Sequence, residues 1–220
     1  MSDVYPVTAR NKTRQLREKA VYDREAVHAV LDACLVAQVG FVQDGSPVVV
    51  PMIYARDGET IYLHGARKAR VIKLLEQTGT VCLNVTHVDG IVLARSAFNS
   101  SMNYRSATVF GRAELVDSPQ RKIQAMKAIS EHLMPGRWDE LREPLEKEVK
   151  MTGVIAITIE SASAKIAAGM PDDEDADYDT PVWAGVVPIK TTLGKLLDDD
   201  RLLPGAKPSG IVRALEGKIV

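Results

Sequence analysis

The 220-residue chain is 45% hydrophobic, which is enough for one globular domain with a real core. Its formal net charge of −1 excludes the overall basic character that draws a protein to nucleic acid or anionic membrane, so any phosphate site must come from local clustering. The polar N-terminus, MSDVYPVTARNKTRQLREKAVYD, lacks the apolar centre of a secretory signal. No later stretch approaches the roughly 18 continuous apolar residues of a membrane span, and a cytoplasmic protein is expected. Cys34 and Cys82 lie in apolar runs, LDACLVA and TVCLNV, and read as buried reduced thiols.

Along the chain, Asp23 caps a helix running to about Leu35, with Val27, Val30, Leu31 and Cys34 on one face. Short β-rich segments follow, AQVGFVQ, VVVPMIYA and TIYLH, separated by Asp-Gly turn signals, as in an antiparallel meander. Pro51 cannot donate to a ladder, so a bulge or an exposed edge is expected there. A helix over 67–77 places Val71, Leu74 and Leu75 inward and stops at Gly79. TVCLNVTHV and IVLARSAF read as strands joined by a hairpin at Asp89-Gly90. NYRSATVFGRAELV is a long strand with a bend at Gly111. The run of long strands and tight turns favours a closed barrel. Ser118 and Pro119 open a helix through Leu133, and a second helical stretch, RWDELREPLEKEVK, is broken near Pro144. GVIAITIES, AKIAAG and PVWAGVVPI return to strand. The acidic run PDDEDADYD reads as a solvated loop. Residues 1–220 are taken as one domain, with a polar N-terminal segment (1–22) and an irregular tail (194–220).

The stretch TIYLHGARKARVIKLL places Arg67, Lys68 and Arg70 where a strand gives way to a helix start. Cations in a first turn oppose the helix dipole, at a few tenths of a kcal/mol each and up to about 1. A bound anion reverses that cost, because exposed amides and nearby cations both favour phosphate. A solvated basic face is the competing reading.

GARKARVIKLLEQTGTVCLNV resembles the strand–turn–helix–strand segment of the pyridoxamine 5′-phosphate oxidase-like FMN-binding split barrels. NYRSATVFGRAELVDSP and PVWAGVVPI are similar to later strands of that family. YLHG, YRS, FGRA and WAGVVP look most like the branch that includes the nitroimidazole-resistance (Nim-type) proteins, and the likeness covers about residues 20–195. It implies a mainly β fold with flanking helices, an FMN-binding split β-barrel, and a homodimer with FMN at the subunit interface. Arg67 and Lys68 would hold the FMN phosphate. Val50, Pro51 and Met52 would run along the isoalloxazine through backbone contacts, Tyr62 and Leu63 would face the ribityl chain or ring, and Ser106 would lie toward the cofactor. His64 would sit beside the pocket as a proton donor or substrate-orienting group, and Trp183 would come from the partner subunit.

One departure matters. WAGVVPIKTT lacks the Arg-x-x-Arg-x-His-like stretch that reads the substrate phosphate in pyridoxamine phosphate oxidases, so that oxidation is not expected. The resemblance leads instead to a flavin-dependent oxidoreductase acting on a small aromatic or nitro-substituted compound. A flavin carrier or sensor without turnover is one alternative. A haem-binding split barrel with an axial histidine is another, disfavoured by the basic corner, which haem does not need. His28, His87 and His132 share no spacing, and no metal site is expected from them.

Overall fold

The computed structural model describes residues 3–220, so Met1 and Ser2 of the polar N-terminal segment lie outside the described residues. The elements in chain order are β1 (Ala20–Val21), α1 (Arg24–Ala33), β2 (Val36–Gln43), β3 (Ser46–Asp57), β4 (Thr60–Ala66) and α2 (Arg70–Thr78). There follow β5 (Thr80–Leu93), β6 (Ser101–Leu115), α3 (Pro119–Leu133), α4 (Glu146–Met151), β7 (Thr152–Ala167), β8 (Gly185–Pro188) and α5 (Gly210–Arg213). Antiparallel pairing runs β7–β4–β3–β2–β5–β6, and β6 pairs back onto β7, closing the sheet into a barrel. β1 extends β7 and β8 extends β5. The fold is mainly β with flanking helices, as expected.

Alternation decides which side chains fill the barrel. Val39, Leu63, Leu83, Val109 and Ile157 point inward and are fully or almost fully buried in one cluster. The helices close it: α1 contributes Val27, Val30 and Leu31, and α2 contributes Ile72 and Leu75. Asp23 caps α1 by accepting from the Ala26 amide (2.9 Å), and Ser118 caps α3 ahead of Pro119. A smaller cluster of Val116, Ala125, Val154 and Ala156 lies on the outer face, where α3 crosses β3 and β4 and its Ala125 meets two side chains of β7. The N-terminal segment is not merely polar: Tyr5 joins the main core, and Asn11 is buried with its amide donating to the Ala162 carbonyl (2.9 Å).

Several expectations need correction. TVCLNVTHV and IVLARSAF form one strand, β5, rather than a hairpin; the Asp-Gly step is a register shift between Val88 and Gly90. A reversal there is replaced by pairing with β8, which lies so close that a Cβ on Gly90 would sit 3.0 Å from Val186 Cγ1. GVIAITIES and AKIAAG likewise join as the single long strand β7. The helix expected over 67–77 begins at Arg70, so Arg67 and Lys68 lie in the turn before it. Ile72, not only the expected apolar positions, is its most buried residue together with Leu75. The acidic run is not wholly solvated. Asp173 is buried, accepting from the Arg95 amide (2.9 Å) and pairing with its guanidinium (3.1 Å). Of the two expectations for Pro51 the exposed edge holds and the bulge does not: the register Ala37↔Met52, Gln38↔Pro51, Val39↔Val50 runs through it unbroken, and β3 pairs there with β2 alone.

The expected bend at Gly111 is present as a register shift between Phe110 and Gly111 against β7. A Cβ there would overlap the Thr158 carbonyl oxygen and stand 2.8 Å from Ile157 Cγ2. The Gly111→Ala protein is expected to lose about 1–3 kcal/mol, the usual range for overpacking a rigid core. A urea midpoint unchanged from the parent would show that this strand crossing is not held as tightly as the structure places it.

Candidate functional site

The pairing leaves a cleft between β3 and β4. The two strands bond from Asp57↔Thr60 to Tyr54↔Leu63 and then part. Beyond that point Ser46–Ile53 pairs only with β2, and His64–Ala66 pairs only with β7, among the described residues. Two strand edges without a ladder partner on that side therefore face the gap. Pro51, with no N–H to leave unpaired, sits on one of them and is exposed.

At the head of the cleft stands the basic corner. The Arg67 amide donates to the carbonyl of Met151 at the end of α4 (2.8 Å), which ties down the turn, and buried Lys122 of α3 donates to the neighbouring Thr152 carbonyl (3.0 Å). Gly153 makes the approach possible: a Cβ there would stand 3.1 Å from Arg67 Cα and 2.7 Å from Ile72 Cγ2. Ala69, at the N-cap of α2, has no side chain that can cap, leaving the first-turn amides open toward the same corner. Lys68 and Arg70 are exposed and form no ion pair among the described residues. Arg67 does: its guanidinium meets both carboxylate oxygens of Glu76 at 3.1 and 3.3 Å.

His64 lies on the outer face of β4, opposite Val154. Its Nδ1 is buried and has no hydrogen-bond partner among the described residues. Burial pushes its pKa below the ordinary histidine value, so the ring is neutral near pH 7. The ring therefore stands as a neutral imidazole with one nitrogen unpartnered among the described residues.

The other expected residues divide by strand face. Val50 and Met52 pack against the barrel core, so only their backbone faces the cleft. Leu63 is fully buried in the core, whereas Tyr62 points outward and packs on the α3 cluster. Both leave the expected ribityl contact to the backbone of β4, because alternation turns one side chain into the core and the other under α3. Ser106 lies on the outer face of β6, paired with Thr86 and Lys165. Trp183 is 66% exposed on the segment leading into β8, which pairs only with Gly90–Leu93 of β5, so no strand pairing brings it to the cleft. Within one chain, then, the structure brings together the β3 edge, His64, Arg67 and Lys68.

Sequence reasoning missed Glu76 and Lys122. Glu76 follows Arg67 by nine residues, a distance bridged only once the turn folds. Lys122 could have been found, since it shares a helix face with the buried Ala125 and Ile129.

A family model described as pyridoxamine 5′-phosphate oxidase matches residues 23–166. The chain belongs to the pyridoxamine 5′-phosphate oxidase family. Among solved structures, the flavocytochrome Anf3 from Azotobacter vinelandii is 36% identical, with 96% of this chain and 98% of that chain covered and a TM-score of 0.89. An FAD- and haem-binding protein from Mycobacterium smegmatis is 35% identical, with 90% and 98% covered and a TM-score of 0.86. A candidate 5-nitroimidazole resistance protein from Bacteroides thetaiotaomicron is 22% identical over 67% of this chain and 86% of its own, with a TM-score of 0.58, and shares the fold. No curated protein matches the chain. Among the described residues no helix is long and apolar enough to cross a membrane.

The histidine environment has a measurable consequence. His28, like His64, has its pKa lowered first by burial. Unfolding therefore takes up protons once the pH falls below about 6.5, the unfolded value. The stability held by keeping these rings neutral is complete above that pH and declines as the pH drops toward their folded values. The His64→Gln protein is expected to show a shallower fall of urea midpoint between about pH 6.5 and 5; an identical slope would show that His64 is not held neutral by burial.

Proposed function

We propose that the protein binds a flavin nucleotide in the β3–β4 cleft and works, with haem as a second group, as a flavocytochrome-type oxidoreductase. The observation that carries this reading is the end-to-end likeness, at 36% identity, to a protein named as a flavocytochrome. The cleft's own residues fit a flavin. Lys68, Arg70 and the open α2 amides suit its phosphate, the free strand edges suit the polar rim of a planar ring, and the unpaired Nδ1 of neutral His64 suits a ring or substrate heteroatom. Bound flavin would supply two-electron chemistry and haem one-electron chemistry; the protein supplies position, polar contacts and water exclusion.

The basic corner alone suggests FMN. The FAD of the Mycobacterium smegmatis protein favours the dinucleotide, whose pyrophosphate meets the same cations. Flavin and haem are not alternatives in that protein, so the corner is no argument against haem here. A small aromatic or nitro-substituted compound is the proposed acceptor class, drawn from the sequence resemblance. We place the protein in the cytoplasm as a homodimer. The outer face of β2 and β3 presents Val36, Val42 and Val49, the last 63% exposed, and a second copy would cover them and bring its Trp183 toward the cleft.

The purified protein should show flavin maxima together with a Soret band, and heating should release a flavin whose mass identifies FAD or FMN. A colourless protein that takes up neither group overturns the reading. Replacing Arg67 and Lys68 together by Ala is expected to weaken flavin-nucleotide binding by about 1.5–3 kcal/mol for each charge-assisted bond lost, with riboflavin binding unchanged. Equal losses for nucleotide and riboflavin would remove the phosphate from that corner. Glu76→Gln frees Arg67 from its present anion and should tighten nucleotide binding several-fold, read by isothermal titration at low salt.

A further inference from the structure

Away from the cleft, the start of α3 and the length of α4 enclose a cavity of about 430 Å³, within the range of about 300–1,000 Å³ usual for small-molecule sites. His64, Arg67, Lys68 and the β3 edge contribute nothing to its lining. Its walls are apolar: Pro119 and Ile123 from α3, Pro144 from the loop before α4, and Val149 from α4 itself. Four charged side chains complete it, Asp117, Lys122, Glu146 and Lys150. Three of them have a local reason. Asp117 precedes α3 and Glu146 opens α4, where anions suit the positive ends of the helices, and Lys150 stands in the last turn of α4, where a cation suits the negative end. All three are exposed, so water solvates them. Lys122 is different. It lies one turn into α3, near the end that disfavours a cation, and it is only 8% exposed. Its Nζ donates to the Thr152 carbonyl at the C-cap of α4 (3.0 Å), and among the described residues it has no other hydrogen-bond partner and no carboxylate. An ammonium carries three N–H donors, so two are left over, and a buried charge is costly unless it is paired.

We propose that the α3–α4 cavity binds a small monocarboxylate with an apolar body, its carboxylate taking the free N–H groups of Lys122. A carboxylate there supplies the missing counter-charge through charge-assisted hydrogen bonds, with Lys150 adding positive charge at the lining. The Ile123, Val149 and proline walls take the hydrocarbon. Charge narrows the class further. Asp117 and Glu146 at the same lining oppose a second negative charge, which disfavours phosphates and dicarboxylates. The cavity is thus unlike the basic corner at Arg67 and Lys68, and it takes a different ligand.

The test is titration of the full-length protein with sodium hexanoate, read by isothermal calorimetry and set against hexanol, hexylamine and inorganic phosphate. One hexanoate per chain is expected, bound at least tenfold more tightly than any of the other three. Lys122→Met, which keeps the reach of the side chain and removes its charge, should lose that affinity at least tenfold. Ile123→Trp leaves Lys122 in place and fills the cavity, so it should lose binding as well, and it serves where Lys122→Met fails to fold. Hexanol bound as tightly as hexanoate, tighter binding of hexylamine or phosphate, or a hexanoate affinity unchanged in either variant overturns the placement. So does a parent protein that takes up no hexanoate at millimolar concentration.

Discussion

The parting of β3 from β4 after the Tyr54↔Leu63 pair is the constraint on which the candidate site depends. Barrel closure demands that β4 pair with β7 along its full length, from Thr60↔Thr158 to Ala66↔Thr152. β2 meanwhile holds β3 from Ser46 to Ile53. Over Thr60–Leu63, β4 holds β3 on one edge and β7 on the other; beyond Leu63 it keeps only β7, while β3 before Tyr54 keeps only β2, so the sheet splits there. Buried backbone groups are rarely left without partners, and an open pair of strand edges at the head of a helix is a place where a ligand can supply them.

Charge at the head of the cleft is held ready rather than fully spent. Arg67 is balanced by Glu76, on a partly exposed pair whose attraction water and salt both weaken. Lys68 and Arg70 lack such a partner among the described residues, and the α2 dipole adds partial positive charge where its first amides stand open. An incoming phosphate therefore meets a field already favourable, and gains a further cation only by competing with a carboxylate. Meanwhile the turn itself barely depends on these charges, because backbone bonds from the Arg67 amide to the Met151 carbonyl and from the Ala69 amide to the Ala66 carbonyl hold it.

Much of this was legible in the residues. Alternation in AQVGFVQ and TIYLH placed β2 and β4, Asp23 and Ser118 marked helix starts through local capping chemistry, and Gly111 marked the bend because backbone crowding excludes a side chain there. The cations at 67–70 announced the corner. What local chemistry could not show was partnership across the fold. Asp89-Gly90 carries the signal of a hairpin, yet β8, a hundred residues later, makes it an in-strand irregularity. Leu63 was read beside Tyr62 as a ligand contact, although a period of two must send neighbours to opposite faces. His87 and His132 looked scattered because only the folded chain brings the ends of β5 and α3 to one cavity.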